Sequence, residues 1–162
     1  MYSQFMTWLE GSTLGHLMRD TGVWTYAFVN LTHILGVASM FGAILVLDLR
    51  MLGVWRRVPL ADLAGPAVTV AGTGFAVAVL TGVGLLATKA TEYLGNPFIP
   101  IKFASILLGL ANVAAIHHLP AWKARAMPVP AVGHERQLRV SGGVSLACWL
   151  SAIAAGRMVG YW

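Results

Sequence analysis

Residues 22–47 read GVWTYAFVNLTHILGVASMFGAILVL, a run without a single Asp, Glu, Lys or Arg. A helix crossing the ~30 Å hydrocarbon layer of a bilayer takes roughly 20 mostly apolar residues, and this run exceeds that. Three further windows are long and mostly apolar: about Gly65 to Thr88, which is also uncharged, and about Phe98 to Leu119 and Leu138 to Val159, whose charges, Lys102, Arg139 and Arg157, lie near their ends. Transmembrane β-strands would be ~10 residues long and alternate apolar with polar. Runs such as Phe75 to Leu80 and Ile106 to Ala115 do not alternate. The expected fold is therefore all-α, an integral membrane four-helix bundle in one domain over residues 1–162.

The composition agrees. Of 162 residues, 57% are hydrophobic and 10% charged, with a mean hydropathy of +0.72, whereas soluble domains carry about 25% charged residues. Eleven Lys and Arg with six Asp and Glu cannot cover a soluble domain of this size. The same balance excludes a disordered chain, and also a nucleic-acid binder, which needs its basic residues clustered on one face. The lone Cys148 permits neither an intrachain disulfide nor a cysteine-rich metal site.

Turn residues punctuate the spans: Val58-Pro59 and Gly65-Pro66 around the first loop, Gly95-Asn96-Pro97 at the second, Leu119-Pro120 and Pro128-Val129-Pro130 after the third span. At such boundaries proline removes no helix hydrogen bond. The segment Met1 to Thr21 mixes Phe5, Trp8, Leu9, Leu14, Leu17 and Met18 with Glu10, Arg19 and Asp20. It lacks a signal peptide's basic start and long apolar run. An amphipathic helix in the membrane interface is expected, with Gly11 and Gly15 as its weak points.

Lys and Arg set orientation. The loops after spans one and three hold Arg50, Arg56, Arg57, Lys123, Arg125, Arg136 and Arg139, and the opposite side holds Arg19, Lys89, Lys102 and Arg157. Seven against four places both termini outside the cytoplasm. Trp8, Trp24, Tyr93, Tyr161 and Trp162 then form one aromatic belt, and Trp55 and Trp122 belong to the other.

Lipid is as apolar as leucine, so helices here must associate through close packing and a few polar contacts. Gly72, Gly74, Thr81, Gly82 and Gly84 in the second span and Ser141, Gly142, Ser145, Ala152, Ala155 and Gly156 in the fourth supply small contact surfaces. Eighteen glycines serve contacts within one chain or between copies, and a homo-oligomer is expected.

Ionisable groups at membrane depth are expensive, so each is a functional candidate. His33 lies about ten residues into the first span, ~15 Å down at helical rise. It shares a face with Tyr26, Asn30, Gly36, Val37 and Met40. Two readings stand. His33 bonds across helices to Asn112 or Ser145, or it ligates a metal or haem iron, as neutral imidazole commonly does. For the second, Gly36 would leave room for a flat macrocycle, and Lys102 and Arg157 at the outer helix ends would meet the haem propionates. Snorkelling to the interface is the ordinary alternative for both cations.

A bis-histidine haem between His33 and His117 fails on depth. His117 lies some 19 residues in from the outer side, which leaves the two about 12 Å apart in level. His117 also points about 100° away from the stripe Lys102, Ser105, Gly109, Asn112, Ile116 expected to face inward. His117 is then an interfacial residue or the ligand of a second cofactor, or else the iron at His33 has an open or substrate-occupied sixth position. His16, on the amphipathic segment, is a less favoured second ligand or simply exposed. His134, beside Glu135 and Arg136 in the inner loop, is assigned nothing. Asp48, in Leu47-Asp48-Leu49-Arg50-Met51-Leu52-Gly53, needs a partner. A structural staple to the third loop or to a neighbouring subunit is expected, with a proton-carrying carboxylate as the alternative.

His33-Ile34-Leu35-Gly36, Asp48-Leu49-Arg50-Met51-Leu52-Gly53, Asn96-Pro97-Phe98 with Lys102, and Ser145-Leu146 with Gly156-Arg157 carry a resemblance to a family of uncharacterised bacterial four-helix inner-membrane proteins. It runs from about Leu14 to Tyr161 and implies that fold and location, with no assigned reaction. More distantly, the chain is similar to small b-type cytochrome and copper-resistance membrane proteins, whose bundles also hold histidines inside the bilayer. It departs from the di-haem cytochromes, having no in-span histidine in its second or fourth helix.

The expectation is thus a b-type haem protein of the bacterial inner membrane. His33 is its axial ligand, and it exchanges electrons with quinone or a periplasmic partner or senses a small ligand. A cofactor-free assembly or transport subunit is the alternative, and a copper-handling protein a third. No nucleophile with its base, phosphate-binding glycine loop or paired carboxylates point to an enzyme.

Overall fold

The structure is a computed structural model that describes residues 1–125 and 133–162. Pro128-Val129-Pro130 lies outside the described residues. Among these the secondary structure is helical throughout, without strands. The helices are α1 (Tyr2–Glu10), α2 (Thr13–Asp20), α3 (Val23–Leu52), α4 (Leu60–Thr88), α5 (Phe98–His118), α6 (Pro120–Lys123) and α7 (His134–Met158), with 3₁₀ turns at Ala90–Tyr93 and Val159–Tyr161. Helices α3, α4 and α5 and the stretch His134–Tyr161 are long and apolar enough to cross a membrane. The chain reads as a multi-pass membrane protein whose solvent is lipid.

Helix ends follow local chemistry. Gly22 and Gly95 adopt positive φ just before α3 and before Pro97, a conformation that side-chain-bearing residues rarely take. Leu119 is extended ahead of Pro120, as the residue before a proline prefers. Two boundaries differ from expectation. Helix α4 starts at Leu60, directly after Pro59, so Pro66 lies inside it. There it removes one backbone donor from the second turn instead of marking the loop. Helix α7 starts at His134, not Leu138, with Gly133 at positive φ before it. Its first turns carry an Arg139–Glu135 ion pair of 3.1 Å, so the charged stretch read as loop is helical.

The N-terminal segment is two short helices rather than one. Gly11 ends α1, and the Ser12 hydroxyl caps α2 by accepting from the Gly15 N–H at 3.2 Å. Gly15 is no weak point. A methyl there would lie 2.9 Å from the Ala87 carbonyl oxygen, so the glycine lets α2 press on the backbone of α4.

The contacts divide into two compact units, residues 1–40 with 72–96, and residues 41–71 with 97–162. In the first unit the N-terminal helices are fastened to the end of α4. Met6 and Leu9 pack on Ala87 and Ala90. The Glu10 carboxylate accepts from both the N–H and the hydroxyl of Thr91, at 2.6 and 2.7 Å. Arg19 donates to the carbonyls of Thr88 and Glu10, at 3.1 and 2.9 Å. In the second unit Met51, Leu60, Ala64, Ile116 and Trp122 form the apolar core.

Candidate functional site

His33 belongs to the first unit. Along its face of α3 burial deepens from Tyr26, 41% exposed, to Met40, 5% exposed. Glycines let α3 and α4 meet backbone to backbone on that face. A methyl on Gly74 would stand 2.7 Å from the Gly36 carbonyl oxygen and the Met40 nitrogen, and one on Gly36 would stand 3.0 Å from Gly74 O and Ala78 N. This corrects the reason given for Gly36. The space left by its missing side chain is filled by α4 and offers no room to a macrocycle.

One turn earlier, the His33 ring meets α4 edge on. Its Nδ1 lies 2.9 Å from the Ala78 carbonyl oxygen and 3.1 Å from Thr81 Oγ1. A carbonyl only accepts, so Nδ1 carries the proton and the lone pair belongs to Nε2. The Thr81 hydroxyl donates its own hydrogen to Val77 O at 2.6 Å, which leaves its oxygen to accept a share of the Nδ1 proton. Gly82 makes the approach possible, since a methyl there would lie 3.1 Å from His33 Cε1. The expected partners Asn112 and Ser145 are engaged otherwise. Asn112 donates to the Ser141 carbonyl at 3.0 Å and accepts from the Ser141 hydroxyl at 3.1 Å, while Ser145 donates to Asp48.

Lys102 and Arg157 belong to the second unit. Lys102 lays its stem across Gly156, where a methyl would lie 3.5 Å from Cε and 3.6 Å from Nζ. Arg157 donates to the Tyr161 hydroxyl, one turn on, and stacks over that ring at 4.6 Å. The expected inward stripe of α5 is as read: Ser105, Gly109 and Ile116 are buried, with Gly109 under the Trp149 ring.

Two other histidines have local partners. His117 is exposed, donates from Nδ1 to Val113 O of its own helix at 2.7 Å, and leans on Trp122 with ring centroids 5.5 Å apart. His16 is exposed, 4.0 Å from the Asp20 carboxylate. Among the described residues no group of three or more His, Cys, Asp or Glu could hold a metal ion. A haem iron, which brings four nitrogens of its own, does not require one.

Asp48 was expected to pair with the third loop or another subunit. It is instead 2% exposed within its own chain, with the Ser145 hydroxyl of α7 donating to it. Periodicity could not name Ser145 as that partner, since every small polar residue of the fourth span was equally eligible.

Residues 5–162 match the family of unknown function DUF6644, and the chain belongs to that family. No curated protein and no solved structure matches it.

Proposed function

We propose that this protein binds haem b in the membrane, with His33 Nε2 as an axial ligand of the iron. The observation that carries this is the Nδ1–H donation to the Ala78 carbonyl. Ligating imidazoles commonly donate their second nitrogen to a backbone carbonyl or carboxylate, which fixes tautomer and ring orientation and raises the basicity of the ligating atom. Gly82 and Thr81, which admit and share the ring edge, then position the ligand. Gly36 holds α3 against α4 beneath it.

When bound, haem would supply a one-electron couple or an iron site for a small ligand. The chain supplies the imidazole, its orientation and an apolar surrounding. The further setting follows the sequence: a bacterial inner membrane, both termini periplasmic, a homo-oligomer, and quinone or a periplasmic protein as electron partner.

The same bonds favour one other reading, in which His33 only fastens α3 to α4. The visible absorption spectrum of the purified protein from haem-replete cells separates the two. Haem binding gives a Soret band that His33→Ala abolishes and His117→Ala leaves in place. A folded, colourless protein rejects the haem and leaves the fastening role. Copper analysis of the same sample tests metal handling.

A further inference from the structure

The second unit contains a carboxyl without a counter-charge. Asp48, one turn from the C-terminal end of α3, is 2% exposed. The Ser145 hydroxyl donates to it, and Oδ2 has no hydrogen-bond partner among the described residues. Helix α7 closes directly over this turn. A methyl on Gly142 would lie 3.1 Å from the Asp48 carbonyl oxygen and 3.2 Å from Met51 Cβ.

Nothing charged answers the carboxyl. Among the described residues no Lys, Arg or His forms an ion pair with it. Arg50, two residues on, gives its guanidinium to the carbonyls of Val58 and Arg56, at 2.6 and 3.3 Å. The residues of α7 against this turn, Gly142 and Ser145, do not titrate, and Met51 on α3 is apolar.

An ionised carboxylate sealed among apolar helices is among the costliest arrangements a protein interior can hold, and chains avoid it by neutralising the group. An alkali or alkaline-earth ion would call for about six oxygen ligands, against one carboxyl and one hydroxyl here. A proton needs only Oδ2. We infer that Asp48 is an exchangeable proton-binding site in the membrane segment, with Ser145 holding the carboxyl in place and α7 sealing it at Gly142. Release of the proton leaves a charge that only water or a cation can answer. Either must part α7 from α3 at the Gly142 contact, so the contact is sensitive to proton occupancy. The inference is independent of haem at His33.

Infrared spectroscopy of the full chain in lipid vesicles at neutral pH, with carboxyl-¹³C aspartate incorporated, tests it. The expected result is a carboxylic-acid C=O band that moves on ¹³C labelling and on prolonged exchange into D₂O. It disappears in Asp48→Asn and is unchanged when sodium replaces choline in the buffer. If Asp48→Asn does not fold, the labelled native chain decides, since the other aspartates, Asp20 and Asp62, are both exposed. Absence of a labelled acid band, its persistence in a folded Asp48→Asn, or its appearance only when sodium is withdrawn would each overturn the inference. The last would show that an alkali ion occupies the site.

Discussion

The helix contacts around His33 and those around Asp48 solve the problem of association in lipid differently. In the first unit α3 and α4 touch backbone to backbone at Gly36 and Gly74, and the His33 ring bonds to the Ala78 main-chain carbonyl and to Thr81. In the second, side chains fill most of the contact, with Gly142 alone set against the Asp48 carbonyl. The Trp149 ring covers Gly109, Asn112 and Ser141 bond each other, and Ser145 serves Asp48. A backbone contact is rigid and intolerant of any added atom. A contact made of side chains can yield a few tenths of an ångström, so it should absorb change more readily.

Methyl groups added at glycines break or sharpen that contrast most strongly. Gly74→Ala sets a carbon 2.7 Å from two backbone atoms. It should lower stability by about 3 kcal/mol, the upper part of the usual overpacking range, as read by unfolding in mixed micelles. Gly109→Ala meets the Trp149 ring first, at 3.1 Å, and should cost about 1 kcal/mol. Gly72→Ala, with nothing within 4 Å, serves as the control and should be neutral or slightly stabilising. Equal losses at Gly74 and Gly109 would erase the distinction between the two regions.

The polar contact of the second unit should contribute less. A double-mutant cycle with Asn112→Ala and Ser141→Ala should give a coupling of about 0.6 kcal/mol, the average for polar pairs between membrane helices. Zero coupling would assign that contact to packing alone.

The smallest effect is expected at the half-buried clasp on the N-terminal helices. The Thr91 N–H, then its hydroxyl, hold the Glu10 carboxyl below the ordinary glutamate value of 4.5. A carboxyl with a lowered folded-state pKa stabilises above its unfolded value and loses that contribution as pH falls through the folded one. The thermal midpoint of the native chain should therefore exceed that of Glu10→Gln at neutral pH. The gap should narrow as the medium is acidified below about pH 4.5. A gap that widens on acidification would reverse the sign of the clasp.

How far the sequence foretold this depends on the kind of information each feature needs. Spans are set by apolar length, a one-dimensional property, and all four were legible, as was the inward stripe of α5 from its 3.6-residue period. The start of α4 was not, because Gly65-Pro66 carries the same signal at a loop as in an early helical turn, and only the run from Pro59 distinguishes them. Gly15 and Gly36 were misread for a related reason. A glycine announces that space is needed without saying what fills it, and in both cases another backbone does. The partners of His33 and Asp48 depend on which helices neighbour each other and at what register. Periodicity carries neither. It did mark both residues as polar groups that the membrane would not tolerate unpaired.

The role of His33 as an iron ligand is tested most directly by replacing its ring with a free one. His33→Gly, purified from haem-replete cells, should lack the Soret band of the native protein and regain it, in the protein fraction after gel filtration, when haemin and imidazole are supplied together. A native protein without that band, or a His33→Gly variant that keeps it without imidazole, would contradict the account.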